Sequence, residues 1–245
     1  MRLDVALVER GLARSRTHAA RLIDDGRVTV NGQPAAKPAQ LVGPHDDLQA
    51  EAEHWVSRAA HKLLGALDDS GLPVQGRVLD AGASTGGFTQ VCLERGAQLV
   101  YAVDVGHGQL VDHLRAEPRV RVHEGLNLRD LTLAHLDHVP VDLVVGDVSF
   151  ISLRLLLPQL LGVLAPDGDA LLLVKPQFEV GRERLGSGGV VRDQRQRLAA
   201  VDGVVAAAAD LGWAERWRGT SKLPGAAGNV EFFVWLSRCN VALSG

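Results

Sequence analysis

Hydrophobic and polar positions change period several times along the chain. Leu3, Leu7 and Val8 share one helical face, and Gly11 closes that run. After Ser15, a good N-cap, the residues Ala19, Leu22 and Ile23 form a second helical stripe that stops at Gly26. "RVTVNGQP" then alternates like a strand and runs into Asn31-Gly32, a strong tight-turn pair. These patterns predict two small helices on a small sheet, a compact α+β unit over residues 1–50. Residues 51–60, "EAEHWVSRAA", read as a short linker in which Trp55 is a packing residue.

From Arg77 the pattern changes to repeated strand–helix units. "RVLDA" is an apolar strand, followed by a turn of tiny residues and the helix "FTQVCLERG". "LVYAVDVG", "VDLVVGDVSF", "DALLLVKPQF" and "EFFVWLS" read as further strands, with the helix "LRLLLPQLLGVLAP" among them. Such units predict an α/β domain over residues 61–245, with a mostly parallel sheet covered on both faces. Ligands in sheets of this kind bind outside the carboxyl ends of the strands.

Composition narrows the function classes. At 245 residues and 46% hydrophobic, the chain can bury a substantial core. A net charge of −3 means that any nucleic-acid contact must come from a local patch. Cys92 and Cys239 give neither a metal-ligand spacing nor a disulfide framework, so no metal is expected. The richest apolar run, residues 150–165, is broken by Ser152, Arg154 and Pro158, and the N-terminus does not read as a signal peptide. The expectation is a soluble cytoplasmic protein without membrane association. One local patch stands out: Arg10, Arg14, Arg16 and Arg21 fall within twelve residues that hold no acid, with His18 among them. Two readings stay open, a solvated helix face or a phosphate-binding patch, for which Arg is the better-suited cation.

The first unit carries a resemblance. "SRTHAARLIDDGRVTVNGQPAAKPAQLV" resembles the alpha-L RNA-binding module of a small-subunit ribosomal protein, pseudouridine synthases and tyrosyl-tRNA synthetases. The resemblance implies that Arg14, Arg16, His18 and Arg21 contact RNA. The usual Gly-Asp closing turn is replaced here by "GPHDD".

The turn of tiny residues, "LDAGASTGGFTQ", lies where the first large-domain strand becomes a helix. Its spacing breaks the G-x-G-x-x-G dinucleotide fingerprint. The pattern D-x-G-x-x-x-G-G instead resembles that of S-adenosylmethionine methyltransferases, in which the turn lies under the methionine part of the cofactor. Gly82, Ser84, Thr85, Gly86 and Gly87 are then the cofactor turn. Asp104 closes the next strand, where a carboxylate can accept both ribose hydroxyls.

Methyl acceptors leave different marks. A pyrimidine carbon needs a Cys nucleophile near the ends of the fourth or fifth strand, and neither Cys lies there. An exocyclic amine usually goes with a proline-pair turn after the fourth strand, where this chain has "GDVSFIS". A hydroxyl needs a group to remove or orient its proton. The candidates are Lys62, on the helix before the first strand, Asp147 and Lys175 at strand ends, and Glu231 at the start of the last strand. Whether Lys175 acts as base or as orienting donor stays open.

This K-D-K-E set resembles the FtsJ-type ribose 2′-O-methyltransferases. "VSRAAHKL", "LDAGASTGGFT", "DVSFISL", "LVKPQFEVG", "GGVVRD" and "GNVEFF" together resemble the TlyA family, over essentially the whole chain. The resemblance implies a Rossmann-like fold and S-adenosyl-L-methionine as cofactor, with Asn127 near its adenine. It implies Lys62, Asp147, Lys175 and Glu231 as the catalytic tetrad and a cytidine ribose of ribosomal RNA as substrate, within the RNA or a subunit. Longer members also modify the small subunit, and the short ends of this chain point to the large subunit alone. Family members are sometimes named haemolysins, but the apolar pattern offers no membrane-active segment. A non-catalytic RNA-binding assembly factor is the other alternative. "GRERLGSGGVVRDQ", residues 181–194, reads either as a surface loop or as a lid over the RNA.

Overall fold

The computed structural model describes residues 1–13, 15–51, 54–181, 185–225 and 227–239. The chain forms two compact units, Met1–His54 and Trp55–Gly245. The division falls within the segment read as a linker, and Trp55 packs at the edge of the second unit's core, edge-on to His61.

In the first unit α1 (Leu3–Glu9) and α2 (Arg16–Asp24) pack on a three-stranded antiparallel sheet of β1 (Val28–Val30), β2 (Gln33–Pro34) and β3 (Leu48–Ala50). Ser15 caps α2 by accepting the His18 N–H at 3.2 Å. Asn31 and Gly32 both take positive φ, +52° and +76°, as a two-residue hairpin turn requires. Leu3, Leu7, Ala19, Leu22, Ile23 and Val28 make the core.

The second unit runs through α3 (Ala59–Ser70), β4 (Arg77–Ala81), α4 (Gly87–Glu94), β5 (Leu99–Asp104), α5 (Asp112–Arg115) and β6 (Val120–Glu124). It continues through β7 (Val141–Gly146), α6 (Leu157–Gly162), β8 (Leu164–Val174), α7 (Pro176–Glu179), α8 (Gln194–Asp210), β9 (Trp213–Thr220) and β10 (Phe232–Arg238). The seven strands are ordered β6-β5-β4-β7-β8-β10-β9. The first five are parallel, and β10 lies antiparallel to both β8 and β9. From β4 the chain winds outward to β6, then crosses back to place β7 on the other side of β4. The switch point, where such sheets bind ligands, is therefore at the carboxyl ends of β4 and β7.

Alternate residues of each strand serve the two faces. Leu79, Tyr101, Val144 and Leu172 pack under the segment from Leu153 to Leu164 and under α8. Val78, Val100, Leu143 and Leu171 pack under α3 and α4. Two strands escape the sequence pattern, β6 and β9. Both are sheet edges, and β9 carries Glu215, Arg216 and Arg218, the charges that protect an edge and hide a strand. Among the described residues no helix is long and apolar enough to cross a membrane.

Candidate active site

The tiny-residue turn hydrogen-bonds into the switch point. Gly82 N donates to Val103 O and Asp147 N to Ala81 O, so β4, β5 and the loop after β7 are locked together at their ends. Gly82 has φ +87°, and a Cβ there would lie 3.0 Å from the Asp147 carbonyl oxygen. Only glycine fits. Asp104 spends part of each carboxylate oxygen on backbone amides: Oδ2 accepts Ser84 N, in the turn, at 2.9 Å and Oδ1 accepts Gly106 N, in its own following loop, at 2.8 Å. Each oxygen keeps a lone pair for a ligand. A cavity of about 470 Å³ opens beside it, lined by Gly82, Ser84, Asp104, Asn127, Val105 and Leu126 among others. A second cavity of about 250 Å³ adjoins Thr85, Gly87, Ser57, Arg58 and Lys175. Gly82, Ser84, Asp147 and Ser149 line both.

Gly86 lines neither cavity. It sits at φ +100°, and a side chain there would overlap Leu114 and crowd Leu110. Its glycine serves packing beneath the turn. Gly87 lies against Ser57 and Ala60, so its missing side chain lets α4 approach the start of α3. Asp80, the first residue of the motif, is fully buried and accepts Thr89 Oγ1–H at 2.7 Å. Its other oxygen has no hydrogen-bond partner. Burial first, then the charges of Asp147 and Asp104, push its pKa up to about 7 against the hydrogen bonds from Thr89.

The four candidate catalytic residues meet at the same rim. Because β10 runs antiparallel to β8, with Phe232 opposite Val174, the residue before β10 faces the residue after β8. Glu231 thereby comes beside Lys175. Lys62 Nζ reaches in from α3 to Glu231 Oε2 at 2.6 Å. Lys175 Nζ lies 2.6 Å from Asp147 Oδ1 and donates to Ser149 Oγ at 2.7 Å. Lys62, Lys175 and Glu231 are all buried. Gln177 Nε2 reaches Glu231 Oε1 at 3.5 Å, and Gly225 leaves room for that oxygen, which any Cβ would strike.

In the first unit Arg16 does not stand in an acid-free field. Asp4, on α1, accepts Arg16 Nη2 at 3.1 Å and a bidentate pair from Arg2 at 3.0 Å each. The Arg2 hydrogen bonds, then those of Arg16, hold the Asp4 carboxyl down at about 2 against its burial. Both guanidinium groups stay largely open to solvent, side by side. His18 and Arg21 are half-buried on α2, and Arg14 lies outside the described residues.

A model of the FtsJ-like methyltransferases matches residues 55–238, and one of the S4 domain matches residues 1–48. The chain belongs to the FtsJ-like methyltransferase family. It is 52% identical over 239 residues to the 16S/23S rRNA (cytidine-2′-O)-methyltransferase TlyA of Mycobacterium tuberculosis, covering 96% of this chain and 89% of the relative. It is 34% identical to the 23S rRNA (cytidine-2′-O)-methyltransferase TlyA of Campylobacter jejuni, over 96% and 98% of the two chains. A Brachyspira hyodysenteriae relative, 37% identical over 95% and 98%, bears the name Hemolysin A. The chain is thus a methyltransferase with an S4 domain.

The methyltransferase site contains residues that the sequence did not single out. Glu179 accepts hydrogen bonds from Ser152 Oγ, Leu153 N and Arg154 Nε at 2.6, 2.7 and 3.2 Å, clasping the loop after β7 to α7. On that loop Phe150 is 91% exposed at φ +67°, its ring 5.4 Å from that of Phe178. Asn229 is buried, accepting Val191 N and donating to Gly189 O. Part of the segment read as a loop or lid is therefore anchored to the approach of β10; residues 182–184 lie outside the described set. The signal for Glu179 and Asn229 was a polar residue set among apolar ones, but their partners are 25 to 40 residues away in sequence.

Proposed function

We propose that this methyltransferase modifies the ribose 2′-hydroxyl of a cytidine in ribosomal RNA, with a large-subunit cytidine as the target. The convergence of Lys62, Asp147, Lys175 and Glu231 on the rim beside Gly82 carries the reading. It supplies two buried amines, each held by a carboxylate, where a hydroxyl acceptor needs its proton taken or oriented. Cys92 is buried within α4 and Cys239 follows the last strand, so neither supports a base-carbon acceptor.

S-Adenosylmethionine, when bound, supplies an electrophilic methyl group on a good leaving group. The larger cavity suits its nucleoside: Asp104 for the ribose diol, Val105 and Leu126 as apolar walls, Asn127 at the adenine end. Gly82, Ser84 and Thr85 suit the methionine part, at the junction with the smaller cavity. Lys175 takes or orients the 2′-hydroxyl proton, Asp147 holds Lys175, and the Lys62–Glu231 pair supports them. The S4 domain grips the RNA backbone through Arg2 and Arg16, with Arg14, His18 and Arg21 as further contacts.

A large-subunit cytidine is the target common to the two named TlyA relatives. Mass mapping of methylated nucleotides in 23S and 16S RNA, from cells with and without the protein, tests this. One new 2′-O-methylcytidine in 23S RNA is expected. A second in 16S RNA would overturn the single-subunit target, and a methyl on a base would overturn the ribose acceptor. RNA with 2′-deoxycytidine at the target should accept no methyl.

A further inference from the structure

Lys175 has more than one partner, and the second has no place in a two-ion-pair scheme. Its ammonium offers three donors in a tetrahedral arrangement. Ser149 Oγ takes one at 2.7 Å, whereas Asp147 Oδ1 stands 2.6 Å from the nitrogen as an ion pair without hydrogen-bond alignment. Ser149 is itself exposed, yet it partners a buried lysine, and it is one of the few residues lining both cavities. One ion pair fixes a distance but leaves an amine on a four-carbon stem free to turn about it. The hydrogen bond to Ser149 adds a second restraint to the ion pair, and the direction left open is where an acceptor hydroxyl would meet a donor or the lone pair.

We infer that Ser149 is a positioning residue for methyl transfer: with Asp147 it holds the Lys175 amine so that its remaining direction addresses the acceptor hydroxyl. The inference rests on the ribose 2′-hydroxyl reading above. The residue type suits the task. A second carboxylate would add charge to a rim that already holds Asp147 and Glu231, with Asp80 buried beneath. A neutral hydroxyl orients the amine without that, and can give up its hydrogen bond when the acceptor oxygen arrives. The loop is held for the purpose, since the Glu179 clasp fixes Ser152 to Arg154 just beyond it.

Single-turnover methylation of a target RNA fragment by Ser149→Ala, Ser149→Thr and Lys175→Ala tests it. Ser149→Ala should lower the rate roughly ten- to hundredfold, the worth of a hydrogen bond to a charged group. Its RNA KM and cofactor affinity should match the parent protein, which also shows that the variant is folded. Ser149→Thr, which keeps the hydroxyl, should recover most of the rate. An unchanged rate in Ser149→Ala, a rise in RNA KM with unchanged rate, or a Thr variant as slow as Ala would each overturn the inference. If Lys175→Ala turns over normally, the ribose reading itself fails. If Lys175→Ala is inactive while Ser149→Ala is normal, the role of Ser149 alone fails.

Discussion

Lys62 and Glu231 stand 169 residues apart in the chain and 2.6 Å apart in space, both buried. Removing either partner leaves an uncompensated buried charge. Glu231→Leu or Lys62→Met alone should therefore destabilise the protein by about 3–5 kcal/mol. The double variant should be much nearer the parent, because an apolar pair of similar volume often replaces a buried ion pair at little cost. Urea unfolding of the four proteins measures this coupling. Strictly additive losses would show that the two residues do not form a pair in solution. The double variant should fold and remain inactive, which separates the pair's structural contribution from its chemical one.

Asp80 should make stability fall as pH rises. Its carboxyl is raised to about 7 by burial, from 3.8 in the unfolded chain. Between these values the unfolded chain has lost the proton and the folded protein keeps it, so each pH unit favours unfolding, and the effect levels off above about 7. The full swing is up to about 4 kcal/mol. Asp80→Asn can still accept from Thr89 and carries no charge at any pH. Its stability advantage over the parent, measured without cofactor, should be small near pH 4, grow to about pH 7 and then level off. Parallel stability–pH curves for the two proteins would show that Asp80 ionises normally.

The Asp4 cluster sets up a prediction for RNA. Asp4 fixes Arg2 and Arg16 side by side at the surface, with Arg2 bound in a bidentate grip. Replacing either Arg with Ala should reduce the salt dependence of RNA binding, by up to about 0.7–0.9 log units of slope for each phosphate that is no longer neutralised. Cofactor affinity should stay as it is, because both residues belong to the S4 domain. Filter binding across a salt series provides the slopes. An unchanged slope in both variants would make the pair a solvated surface feature.

Much of this arrangement was legible because residue type and position coincided. A charged Lys175 ending an apolar strand, and an Asp104 ending another, are conspicuous in any single sequence. The glycine turn was legible as a turn, yet its glycines differ in purpose: Gly82 borders both cavities, whereas Gly86 makes room for Leu110 and Leu114. Strand direction was not legible. Repeated strand–helix units gave a parallel sheet, and nothing in "EFFVWLS" announces that it runs against β8. That reversal is what brings Glu231, at the start of a strand, to the rim where the other strands end. The acid that pairs with Arg16 of the arginine run was not legible for a related reason, because Asp4 comes from a different helix. Partners chosen by tertiary structure leave no local pattern.

Phe150 combines two costs that the fold does not require. A bulky residue at φ +67° carries backbone strain of about 1–3 kcal/mol, and an aromatic ring 91% exposed recovers little by burial. The ring stands at the mouth of the larger cavity, beside Ser149 and tilted against Phe178. A base turned out of its helix stacks on aromatic faces of this kind. Phe150→Gly should therefore stabilise the folded protein, because glycine accepts positive φ without strain. The same change should weaken RNA binding and raise KM by roughly 5- to 150-fold, the usual worth of one stacked base. Phe150→Trp should keep RNA affinity near that of the parent, since it keeps the aromatic face. Thermal unfolding and RNA titration of the two variants decide the matter. A glycine variant that gains stability and binds RNA as tightly as the parent would show that the exposed ring plays no part in holding the target nucleotide.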